Sequence, residues 1–170
     1  MEEKEPKTAA IKRRLQRYQE DHRDFINQNE RYVRLVSSME SAKVQQFDAM
    51  PGAGSPTTDK MADKIVLKLE LEEDIKDDKE YLEKERKALE KLIEKMPKAD
   101  ERAVIRMKYF DDMDWVDISK ALYRKRKDYT RATHTYLNKT YKLHGSALLS
   151  LSDVSTGSRQ LEPRKDKSRE

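Results

Sequence analysis

The chain of 170 residues has no cysteine, so disulfides and thiolate zinc sites are excluded from the outset. It has only four glycines and five prolines, and long stretches are therefore free of residues that break a helix. Apolar residues make up 35% of the chain against 41% charged, which is too few to fill a large enzyme interior and enough for one small core with helical extensions. No run reaches the roughly eighteen apolar residues that a membrane-spanning helix needs. The opening MEEKEPK is acidic and lacks the basic start and apolar centre of a signal peptide. A cytoplasmic protein is expected.

What is present favours helix throughout. Lys, Glu, Leu, Ala and Arg are abundant, and the expected class is all-α: a long helical hairpin or arm followed by a small helix-turn-helix domain. Ile11, Leu15, Tyr18, Phe25, Tyr32, Val33, Leu35, Val36 and Met39 recur at three- and four-residue steps, predicting an N-terminal helix within 1–49, with a weak place at Asn27–Asn29. MPGAGSPTT supplies a Pro/Gly elbow at 50–58. A long acidic helix is expected over 59–96, capped by Thr57 or Thr58 and stopped by Pro97. Its Ile75, Leu82, Leu89 and Met96 keep a seven-residue step, with Leu71 and Leu92 alongside. Because Asp78 and Glu85 interrupt that register, a hairpin with the first helix is preferred over a long self-associating coiled coil. Three shorter helices follow, over about 100–110, over about 114–123 with Asp114 as N-cap, and somewhere within 128–151. From Ser152 to residue 170 the apolar residues give out and a disordered tail is expected.

Charge is strongly segregated. Residues 51–96 hold thirteen acids against ten cations, whereas from Ile118 to Leu151 eight cations stand against a single acid, Asp128. Four of those cations, Arg124, Lys125, Arg126 and Lys127, follow directly on WVDISKALY, the stretch that holds the only tryptophan. A positive segment of this kind suits the phosphate backbone of nucleic acid, since each neutralised phosphate releases a counterion.

The segment ERAVIRMKYFDDMDWVDISKAL, residues 101–122, resembles region 4 of bacterial sigma factors. Together with MPGAGSPTTDKMADKIV at 50–66 and KLHGSALLSL at 142–151, the chain resembles the RinA/ArpU-type late transcription regulators of phages of Gram-positive bacteria. Ser119 stands where the sigma pattern has Ala, Tyr123 where it often has Gly, and about a dozen extra residues precede the final helix. The resemblance implies a sequence-specific DNA-binding regulator, an activator of late genes, working in the cytoplasm of a bacterial host and associated with its nucleoid. Residues 97–151 would form the helix-turn-helix, and 97–170 would bind DNA without the arm.

Within that module Val104, Met107, Trp115, Ile118 and Leu122 are the expected structural core, with Trp115 and Ile118 wedged against Val104, Met107 and the long helix. The cations at 124–127 would grip phosphate. Asn138, Lys139 and Lys142, with Arg131 and Thr135 in reserve, would face base edges, where paired donors and acceptors read sequence. Double-stranded DNA is the expected partner, with bacterial RNA polymerase and a second copy of the chain as further candidates. His22, His134 and His144 lack the spacing of a helical zinc site, and no phosphate-loop or nucleophile-elbow motif occurs. Neither enzyme activity, cofactor, metal nor membrane association is expected. The alternatives are the DNA-recognition subunit of a phage packaging terminase and a purely structural helical interaction protein.

Overall fold

A computed structural model describes residues 7–47 and 57–157; the elbow and most of the tail lie outside these. Every regular element among the described residues is a helix, as expected: α1 Ala9–Phe47, α2 Thr57–Glu94, α3 Ala99–Tyr109, α4 Trp115–Tyr123 and α5 Thr133–Ser155. The amide of Asn29 donates to the carbonyl of Phe25 at 3.3 Å, and α1 runs through Asn27–Asn29 unbroken. Thr57 and Thr58 are the first helical residues of α2 rather than residues outside it. No helix among the described residues is long and apolar enough to cross a membrane.

The long helices are shared between two compact units, one formed by residues 7–19 with 87–157, the other by 20–86. The second unit is a helical hairpin. Tyr32 donates its hydroxyl to Glu72 at 2.5 Å, and Lys64 donates to Ser38 at 3.3 Å, so α1 and α2 run antiparallel in a fixed register. Leu71 and Leu82 are its buried leucines, and Asp78, which interrupts the seven-residue pattern, lines a groove with Asp21, Asp24 and Gln28 of α1.

In the first unit α5 packs on both α3 and α4. Ile105, Ile118 and Leu151 are completely buried, and so is Val104. The expected boundary at residue 97 does not mark the edge of this core. Ile11, Leu15 and Tyr18 from α1 and Leu89, Ile93 and Met96 from α2 are buried in it as well. Tyr18 meets the Phe110 ring edge-on at 5.3 Å, and Gln19 donates to the Lys108 carbonyl at 3.1 Å and also to the Asp112 carboxylate. Arg106 clamps Glu90 with two bonds, of 3.0 and 2.7 Å, to one carboxylate oxygen. Each buried aliphatic side chain contributes roughly 1.5–3 kcal/mol, so residues 97–170 alone would lack much of the core that holds α3, α4 and α5.

The tail begins later than its composition suggests. α5 continues to Ser155, and Ser152 is buried because its hydroxyl donates to the Lys7 carbonyl at 2.8 Å. A small side chain with its one donor satisfied enters a core at little cost.

Candidate nucleic-acid interface

Three of the chain's structural features set the position of α5. The first is the turn after α3. Asp112 takes the left-handed backbone conformation at a φ of 50°, and Met113 N donates to Met107 O at 2.9 Å, reversing the chain so that α4 starts at Trp115. Asp and Asn tolerate this conformation better than most residues. The sigma pattern places a positive φ after α4, whereas here Tyr123 is helical and Arg124 stays right-handed at φ −55°.

The second feature is a buried carboxylate. Glu101, with no exposed surface, accepts hydrogen bonds from Ser146 at 2.6 Å, Ser150 at 2.7 Å and Lys98 at 3.0 Å. Burial by itself would push its carboxyl up. The two serines and the Lys98 ammonium outweigh that, and its pKa lies below the ordinary value. The start of α3 is thereby bolted to the middle of α5.

The third is an aromatic cluster. Trp115 is half-buried and lies edge-on to Tyr141 at 5.1 Å and to His144 at 4.9 Å, while the Lys108 ammonium sits 5.1 Å above its ring. Tyr109 Oη is 3.1 Å from His144 Nε2. Burial drives the phenol of Tyr109 up to about 12 and the imidazole of His144 down to about 4, the latter helped by Lys12 and Lys108. The expectation that Trp115 is a core residue needs correction in its burial alone. As the first residue of α4 it lies at the margin and joins α4 to α5, whereas Ile118 and Val104 are fully buried and Met107 and Leu122 half-buried.

Between α4 and α5 run nine residues, Arg124 to Ala132, and they are not loose. Arg126 N donates to Tyr123 O, Tyr129 N to Arg126 O, and Ala132 N to Asp128 O, all between 2.9 and 3.1 Å. The rings of Tyr123 and Tyr129 lie 5.1 and 5.6 Å from that of Tyr136. Tyr136 in turn donates its hydroxyl to Asp128 at 2.7 Å, and this bond above all holds the Asp128 carboxyl below its ordinary range, with Lys139 and Arg126 adding to it. Three tyrosines and the single acid therefore staple the basic connector to α5. The connector is thus longer than a tight turn and held by side chains.

All nine expected DNA-contacting residues are exposed. Arg124, Lys125, Arg126, Lys127 and Arg131 lie on or beside the connector, and none makes an ion pair among the described residues. Thr135, Asn138 and Lys142 recur at three- and four-residue steps in the first half of α5 and share one stripe, continued by the exposed Gly145. Lys139 is set aside from that stripe, its ammonium 4.5 Å over the Tyr136 ring beside Asp128. Five exposed cations of the connector thus lie in sequence directly before an exposed amide and ammonium on α5. The tyrosine staple, the Glu101 bolt and the Tyr109–His144 pair were not singled out in the sequence, although Tyr123, Tyr129 and Tyr136 bracket the basic run at six- and seven-residue spacing. Among the described residues no group of three His, Asp or Glu could hold a metal ion.

No curated protein and no solved structure matches the chain. Residues 39–140, from late α1 through the connector to the Asn138 stripe, match a family described as protein of unknown function (DUF1492). The match takes in more than half of the sequence, and the chain belongs to that family.

Proposed function

We propose that the chain is a sequence-specific DNA-binding transcription regulator. It would act at a promoter of late phage genes with the host RNA polymerase. The observation that carries this reading is the stapled basic connector beside the exposed α5 stripe. Cations that make no ion pair among the described residues stand on a connector held by Tyr123, Tyr129, Tyr136 and Asp128, next to Thr135, Asn138 and Lys142. A purely solvated loop gains nothing from such a staple. A phosphate-binding surface does, because a backbone already held in one course loses less freedom on binding. The resemblance to sigma region 4 and to late phage regulators supplies the promoter. The acidic stretch at 51–96, opposite in sign to the connector, gives a protein partner such as polymerase a separate surface to meet.

The test uses the full chain. A genome-wide footprint in a host carrying the phage should place it upstream of late genes, and purified transcription with bacterial RNA polymerase should show raised output from that promoter. Binding to a packaging-start sequence with transcription unchanged would replace this reading by the terminase subunit. Failure to bind any duplex would leave only a structural role.

A further inference from the structure

The helical hairpin of α1 and α2 has an apolar face that nothing in its own unit covers. Ile26 and Val33 on α1 and Ile65, Val66 and Leu69 on α2 are all between 44% and 60% exposed. At about 100° per residue, Ile26 and Val33 lie roughly 100–120° round from Tyr32, which faces α2. Ile65 and Leu69 are displaced in the same sense, by roughly 60–100°, from Lys68 on the α1-facing side of α2. Because the helices are antiparallel, equal rotations bring both pairs onto one side of the hairpin. The Tyr32–Glu72 and Lys64–Ser38 bonds fix the height, so Val33 is level with Leu69, and the half-buried Val36 is level with Val66. Val33, Ile65 and Leu69, with Ile26 two turns away along α1, therefore form one patch across both helices, while Val66, roughly 160° round from Lys68, lies on the side of α2 turned away from α1.

We infer that this face binds the same face of a second copy of the chain, and that the two hairpins close into a four-helix bundle about a two-fold axis parallel to the helices. Such an axis sets α1 of one copy against α2 of the other, antiparallel and at equal height, so the Val33–Leu69 layer meets its own counterpart. Charge selects this arrangement. The outer edge of the face on α2 carries Glu70, Glu73 and Asp77, while that on α1 carries Arg23 and Arg34 with Glu30. Arg34, paired with Glu30 at 3.1 Å and still 80% exposed, comes level with Glu70 of the second copy. An axis perpendicular to the helices would instead set acidic edge against acidic edge. Over twenty residues of each helix the face measures roughly 30 by 20 Å, about 600 Å² per copy, at the lower end of what stable dimers bury. The inference does not depend on DNA binding, and its readout is mass.

Sedimentation equilibrium of the full chain between 1 and 100 µM should give a concentration-dependent dimer. Val33→Glu with Leu69→Glu should give a monomer whose helical circular dichroism is unchanged, because both side chains are exposed in the single copy. Arg34→Glu should weaken the dimer about tenfold, and adding Glu70→Arg should restore it. A monomeric wild type, or an oligomer whose mass is the same in the Val33→Glu/Leu69→Glu variant, overturns the inference. So does a failure of Glu70→Arg to rescue Arg34→Glu.

Discussion

The hydroxyl of Tyr136 donates to the carboxylate of Asp128 at 2.7 Å, across the connector that carries the chain's densest positive charge. The one acid in the basic segment is thus spent on holding that segment to α5. Tyr136→Phe removes the bond and keeps the ring contacts with Tyr123 and Tyr129. Affinity for duplex DNA should fall a few-fold while the salt dependence keeps its slope, since every cation remains; titrations at three salt concentrations would show this. A changed slope would mean that Tyr136 shapes the phosphate contacts themselves rather than the order of the connector.

Arg124, Lys125, Arg126 and Lys127 replaced together by Gln should lower affinity about equally for all duplexes and flatten the plot of log affinity against log salt by about three to four units of slope, one for each phosphate no longer neutralised. The fold should be untouched because all four are exposed. Asn138→Ala or Lys142→Ala should behave differently, costing about 1–3 kcal/mol on the proper site and relaxing specificity there. Equal losses on specific and random duplexes would assign these two side chains to phosphate.

Gly145 sits inside α5 on the same exposed stripe, and a methyl group added there would meet nothing within 4 Å. Glycine in a helix interior is less favourable than alanine by about 1 kcal/mol. Gly145→Ala should therefore raise the melting temperature of the free protein. A loss of DNA affinity in the same variant would show that duplex approaches the α5 backbone at this point.

The helices themselves were legible, because α3 and α4 each begin and end within one or two residues of the places that Asp100, Phe110, Asp114 and Tyr123 mark. Periodicity also identified Leu71, Leu82 and Leu89 as a buried stripe. What periodicity could not show is which body each stretch joins. Leu15 and Tyr18 lie on the same continuous helix as Tyr32, yet Tyr18 packs with Phe110 and Tyr32 bonds to Glu72. Polar residues were read worst. Glu101 is charged and Ser150 and Ser152 are hydroxylic, so composition places all three on the surface, while specific partners bury them.

Glu101→Ala tests that last point. It strips Ser146 and Ser150 of their acceptor inside the core and should cost about 2–3 kcal/mol of stability. Urea melts of the full chain would register the loss. Ser119→Ala makes the opposite case: its buried hydroxyl has no hydrogen-bond partner among the described residues, so alanine should be neutral or stabilising.

His144 makes stability depend on pH. Tyr109 and Trp115 pack against it, and the charged groups that act on it are Lys12 from α1 and Lys108 from α3. Burial first and these two cations second hold its pKa down to about 4 in the folded chain, against about 6.5 when unfolded. Between those values the unfolded chain binds a proton that the folded chain refuses. The contribution of the neutral ring is complete above pH 6.5 and is lost as pH falls through the window below it. Solvent reaches part of the ring, so the loss by pH 5 should be about 1–2 kcal/mol rather than the full amount. Thermal melts from pH 7.5 to 5 should show a falling midpoint in the wild type and a flatter one in His144→Phe, which keeps an aromatic ring against Trp115 without a titrating nitrogen. Carboxyl groups held low, such as Glu101, stay charged over this range and do not compete with the effect. Identical slopes in the two proteins would remove His144 as the source.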